Sequence, residues 1–155
     1  NNAINYVLDS FKKNNVDVVY GDIDALYEKK IIRNHADHKL LKEKMSIFHP
    51  ATFIKRDLYN RNGNYSLKYQ IAADYDLLLK FFLQGAYFEH LNESIVTFRM
   101  NGISSTNYKL RIKENIMIRY RELGILSVIK YIFYSAIPTF LLNIRRNIIL
   151  AFTSN

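Results

Sequence analysis

Val16-Asp17-Val18-Val19-Tyr20-Gly21-Asp22-Ile23-Asp24 is the stretch on which the architecture of this chain turns. Val16 to Tyr20 is a β-branched run that stops at Gly21, the pattern of a buried strand. Ahead of it, Ile4, Val7, Leu8 and Phe11 recur at helical spacing, and Lys12 and Lys13 follow. Residues 2–14 are therefore expected to form an amphipathic helix. Asp22 and Asp24 fall just past the expected strand end, where an α/β sheet presents its chemistry. Residues 25–33 read as an exposed strand or hairpin, and 38–44 as a short, charged helical stretch.

Farther along, Pro50 holds His49 extended. Asp57 to Arg61 reads as a short helix ended by Asn62-Gly63. Asn64 to Gln70 is a polar loop carrying Tyr65 and Tyr69. Asp74 to Leu83 is the clearest helix, with Leu77, Leu78, Phe81 and Phe82 on one face and Gly85 beyond its end. Ala86–Phe88 and Ser94–Phe98 read as two strands, and Met100 to Asn107 as a loop. Three helices follow at 108–123, 125–136 and 139–152, punctuated by Gly124 and Pro138. The fold class is thus α/β, a mixed sheet with flanking helices and a helical C-terminal tail. Residues 1–106 form one part and 107–155 the other.

The 155 residues are 49% hydrophobic and 14% aromatic, enough for a core and unlike a disordered chain. Without Cys there is no disulfide framework and no thiolate site. The formal charge of +8 is concentrated late: residues 108–155 hold eight Lys/Arg against two Asp/Glu. Basic residues among apolar and aromatic ones suggest an anionic membrane surface, and no nucleic-acid module is present. The longest uncharged tail run, Tyr131 to Ile144, is 14 residues and contains Pro138. A spanning helix needs about 20, so a peripheral contact is expected rather than a transmembrane one. A homodimer interface through 108–152 is the other explanation.

Several side chains could carry chemistry. Asp74 stands at a helix start, where the macrodipole keeps a carboxylate ionised and able to accept a proton. By local sequence alone, a merely stabilising first-turn Asp is the commoner reading. Asp76 lies about 200° round the helix and is expected to pair with Lys80. Asp22 and Asp24 have the spacing of hard-cation ligands, but turn carboxylates are commoner, and Asp22 could equally line a pocket. His49 is either a structural histidine or a hydrogen-bond donor to substrate. His35-Ala36-Asp37-His38 has a metal-like look, yet a solvated surface is the favoured reading. Arg99 beside the Met100–Ser105 segment could clamp a diphosphate, with Ser104 in the loop that closes over it, or simply end a strand.

Four ordered segments resemble one family. They are Val18-Val19-Tyr20-Gly21-Asp22, then His49-Pro50-Ala51-Thr52-Phe53-Ile54-Lys55-Arg56 with Tyr59 and Gly63, then Ile71-Ala72-Ala73-Asp74-Tyr75-Asp76-Leu77-Leu78-Leu79, and Ile95 to Ser105. Together, over residues 1–106, they resemble the bacterial family 2 glycosyltransferases that assemble surface polysaccharides. The resemblance implies the acceptor side of a GT-A fold and inverting transfer from a nucleotide-sugar donor to a glycan or lipid-linked acceptor. It implies Asp74 as catalytic base, with Asp22, His49, Arg99 and Ser104 near substrate. It also implies a divalent cation, Mg or Mn, in the complete enzyme. Ala73 stands where many members carry a second acid, and a His sometimes found near the diphosphate loop is missing. The donor-binding half and its Asp-rich metal motif are expected upstream of Asn1, so the chain alone is expected to be an inactive portion. A cytoplasmic location at the inner face of the membrane fits that chemistry. The contrasting reading is a non-enzymatic membrane-surface or helical interaction module built on 108–152.

Overall fold

The structure, a computed structural model, describes residues 3–13, 15–27, 30–99, 107–142 and 144–145. It divides into two compact units, Asn1–Gly102 and Ile103–Asn155.

The first unit is mixed α/β. Helix α1, Ala3–Lys12, leads into strand β1, Val18–Tyr27. Strand β2, Lys30–Asn34, returns antiparallel to β1 as a hairpin. Two 3-10 turns, His38–Leu40 and His49–Ala51, precede strand β3, Thr52–Ile54. Helices α2, Arg56–Asn62, and α3, Ala73–Leu83, then lead to strand β4, Phe88–Arg99. The resulting four-stranded sheet is mixed and centred on β1. Strand β4 runs parallel to β1 along nearly its whole length. β3 is antiparallel to the start of β1 and β2 to its end.

Alternation along β1 sorts its side chains between two helical layers. Val19 packs with Val7 of α1 and with Val16, and Phe11, Phe53 and Leu91 close around them. Tyr20 points the other way, with Phe88 and His90 of β4, and Phe82 of α3 meets Phe88 edge-on at 6.0 Å. Helix α3 is therefore covered almost all round: Tyr75, Asp76, Leu77, Leu78, Leu79 and Phe81 are all buried. Asp76, expected to pair with Lys80, is buried in this helix at 5% exposure.

Two expectations about the strands are corrected. β1 does not stop at Gly21 but runs on to Tyr27, so Asp22 and Asp24 lie within the strand. The two strands read at 86–88 and 94–98 are one strand, β4, interrupted by bulges. Its register with β1 jumps between Gly21 and Asp22 and again between Asp22 and Ile23. Asn92, Glu93 and Ile95 are the extra residues. The bulge also explains Gly21. A Cβ there would collide with the Ile95 side chain and lie 2.9 Å from the Glu93 carbonyl oxygen. Glycine is needed for close approach, not to end the strand.

The second unit is helical. Helix α4, Tyr108–Leu123, is capped by Asn107, whose side chain accepts from the Leu110 amide at 3.3 Å. Gly124, at φ +77°, makes the turn into α5, Ile125–Tyr131. Pro138 does not separate two helices as expected. The helix continues through a π-helical stretch, Ile132–Ala136, and on to Leu142. Proline cannot donate to the preceding turn and crowds its carbonyl, and the wider π turn accommodates both effects. Ile125–Leu142 is consequently long and apolar enough, by length and composition, to cross a membrane, and only 11% of it is buried. Residues 146–152 of the expected third helix lie outside the described residues.

Candidate functional site

Asp74 occupies the first turn of α3, whose N-cap residue, Ala72, makes no side-chain capping bond. Its carboxylate, 36% exposed, lies 3.5 Å (Oδ1) from Nδ1 of His49, which is 60% exposed. His49 reaches it from the first position of the 3-10 turn His49–Ala51 ahead of β3, so it is turned rather than extended as its place before Pro50 suggests; the extended residue is Phe48. Tyr65 completes the group through hydrogen bonds with Asp74 and Tyr59. Burial foremost, then the Asp74 charge and Tyr59, push the Tyr65 phenol well above its ordinary pKa. It therefore remains a donor to Asp74 across the neutral range.

This group is anchored from beneath. The Tyr59 ring of α2 stands edge-on to Phe81, centroids 5.7 Å apart, and Phe81 is fully buried in α3. The Tyr65 ring lies 6.3 Å from that of Tyr59. A chain of aromatic contacts thus runs from the core to the carboxylate. A charge-assisted pair this exposed adds little to stability, so the arrangement is better understood as positioning Asp74 than as holding the fold together. Chemically it is an accessible carboxylate at a helix N-terminus, with an imidazole and a phenol to relay or fix a proton.

Asp22 belongs to a second group. Its side chain is fully buried, and both oxygens are engaged. Oδ2 accepts from His35 Nδ1 at 2.7 Å; Oδ1 accepts from the Ala36 amide at 3.0 Å and from His90 Nε2 at 2.9 Å. Burial alone would raise its pKa. The Ala36, His90 and His35 hydrogen bonds outweigh that and hold the carboxyl below the ordinary range. Beside it, the Tyr20 hydroxyl accepts from the His38 amide at 3.1 Å and meets His38 Nδ1 at 2.7 Å. The phenol proton is directed at Nδ1, which fixes the other nitrogen as the N–H of a neutral ring. Burial, aided by Lys39 and His90 and opposed by Asp37, pushes the His38 pKa down in agreement.

The 35–38 segment is therefore not a solvated surface stretch: His35 and His38 are tied to β1, and Asp37 caps its own turn through the Lys39 amide at 2.9 Å. The His35 ring is nonetheless 71% exposed, so buried Asp22 acts outward by orienting it. Asp24 faces Arg33 at 3.5 Å. With Asp22 saturated by N–H donors and Asp24 paired, the two do not fit a divalent cation. Among the described residues, no three His, Asp or Glu side chains are grouped as ligands.

The structure thus brings His49 and Asp74 together and places Asp22 in a separate group. Arg99 is exposed at the end of β4, and Ser104 lies outside the described residues. A polar cleft of about 570 Å³, lined by Asn15, Asp17, Lys55, Asp57, Asn60 and Arg61, contains none of these residues. Sequence reasoning missed Tyr65, Tyr59 and His90 as site components. The Asn64–Gln70 loop shows its tyrosines in sequence but not which carboxylate they meet, and nothing local links His90 to a carboxylate 68 residues earlier. No protein-family model matches the chain, and no curated protein matches it.

Proposed function

We propose that this chain is the acceptor side of an inverting glycosyltransferase of GT-A type and that Asp74 is its general base. The observation that carries the reading is the Asp74 carboxylate, exposed at the first turn of α3 and flanked by His49 at 3.5 Å and by the Tyr65 phenol. Both His49 and Asp74 belong to the ordered segments that resemble family 2 glycosyltransferases. A mixed sheet with helices on both faces is compatible with part of such a fold.

In the proposed reaction, an acceptor hydroxyl approaches the carboxylate and its oxygen attacks the anomeric carbon of a nucleotide sugar. The new C–O bond forms as the bond to the diphosphate breaks. The hydroxyl proton passes to Asp74, the nucleoside diphosphate leaves, and the anomeric configuration inverts. His49 and Tyr65 hold the carboxylate in its accepting orientation. A divalent cation would neutralise charge on the leaving group, but no step is assigned to one through the residues described.

The test is Asp74→Asn in the protein that carries this sequence. A positioned base contributes about 10²–10⁴-fold, so turnover should fall by that factor with folding intact. Near-normal turnover by a folded variant would refute the assignment.

A further inference from the structure

We infer that the helix from Ile125 to Leu142 lies in the plane of an anionic lipid surface, embedded by one apolar face. This stands independently of the Asp74 reading. Burial along the helix is striped. Ser127, Val128, Tyr131, Ile132, Ser135, Ala136 and Thr139 are covered or half-covered, at helical spacing. The opposite side is bare: Leu126 is 73% exposed, Phe133 65%, Tyr134 84%, Leu141 58% and Leu142 65%. That bare side carries one charge, Lys130. Such a stripe needs a cover of matching chemistry.

Charge selects lipid over a second copy. Glu114 and Glu122 are the only acids in residues 108–155, against eight Lys and Arg. Two copies joined through this face would bring like charges together, whereas anionic headgroups complement them. Lys109, Lys113 and Lys130 are all exposed. Phe133, Tyr134 and Phe140 supply the amphipathic and aromatic bulk that suits the headgroup–acyl boundary.

Packing within this unit decides between lying in the surface and crossing it. Arg119 of α4 donates to Ser127 Oγ at 3.2 Å, and its guanidinium lies 4.7 Å from the centroid of the Tyr131 ring. A crossing α5 would draw Arg119, together with the neighbouring Arg121–Glu122 pair, into hydrocarbon. An in-plane helix keeps α4 on the water side and buries only the bare face.

The chain has no Trp, so single tryptophans report depth without interference. Leu126→Trp, Phe133→Trp and Phe140→Trp would each be mixed, in the full chain, with phosphatidylcholine vesicles with and without phosphatidylglycerol. With anionic vesicles, all three emissions should shift to the blue. Brominated lipids should quench all three equally and from a shallow position. Leu67→Trp, at a fully exposed site in the other unit, is the unshifted control. Phe133→Glu should abolish the binding while circular dichroism is unchanged. Lys109→Gln, Lys113→Gln and Lys130→Gln together should weaken it about a hundredfold, at roughly fivefold per charge. Deepest quenching at Phe133→Trp with shallow ends would overturn the proposal in favour of a crossing helix. An absence of any shift would overturn it outright, as would a concentration-dependent dimer that leaves vesicles unbound.

Discussion

Removing the Asp22 side chain tests whether that carboxylate is structural. In Asp22→Ala, three donors lose their acceptor, and they lose it unequally. Ala36 is 4% exposed, so its amide is stranded, at a cost of about 1–3 kcal/mol. The His90 side chain is 29% exposed and regains water in part; His35, at 71%, regains it almost fully. Together the loss should be roughly 2–5 kcal/mol, within the range for breaking a buried network. Asp22→Asn keeps one accepting oxygen for Ala36 and His90. Its amide would face His35, whose exposed ring can change tautomer, so about 1–2 kcal/mol is expected. Urea unfolding reads both values as midpoint shifts at unchanged slope.

Acid provides the second arm of the same test. The folded-state pKa of Asp22 is lowered, so its contribution is complete above the unfolded value of about 3.9 and disappears as pH falls through the folded one. The His38 pKa is lowered too, so the neutral ring stabilises the fold above about 6.5 and that contribution is lost on further acidification. The wild-type protein should therefore lose stability in two stages, and Asp22→Asn should lack the lower one. An Asp22→Ala protein as stable as wild type, or an unchanged acid limb in Asp22→Asn, would refute the reasoning.

Gly21→Ala should destabilise by about 1–3 kcal/mol through overpacking against Ile95, as read by thermal unfolding. Adding Ile95→Ala should recover part of the loss, the Glu93 carbonyl accounting for the remainder; a neutral or stabilised Gly21→Ala would contradict the close approach. Phe81→Ala, at a fully buried position, should cost about 3–5 kcal/mol and release Tyr59. A loss under 1 kcal/mol by urea titration would argue against Phe81 as the anchor of the Asp74 group.

Where periodicity is strong, the elements were legible. The helices at 3–12, 73–83 and 108–123 follow their apolar spacing closely. The failures share a cause: a local breaker whose effect depends on a distant neighbour. Gly21 looked like a strand end because its reason for being glycine, Ile95, is 74 positions away. The strand pattern breaks between Phe88 and Ser94, yet the parallel pairing with β1 absorbs Asn92 and Glu93 as a bulge. Pro138 looked like a stop, but a π turn absorbs it. The site shows the same division. His49 and Asp74 were each visible as residue types at telling positions. Their meeting was not, nor was Tyr65, because these depend on how α2, α3 and the loop between them fold back.

The pairing of β1 with β4 also bears on how the chain folds in time. β2 pairs with β1 from nearby in sequence, whereas Val18 must wait for Phe88. Closing that long loop is entropically costly, and contacts of such separation are slow to form. During synthesis from the N-terminus, one whole edge of the central strand stays open until the segment through Arg99 has emerged. The three-donor cage on Asp22 needs His90 and cannot be complete before then. The expected outcome is that weakening it, as in Asp22→Asn, hastens unfolding and leaves the folding rate nearly untouched, measured by stopped-flow in urea.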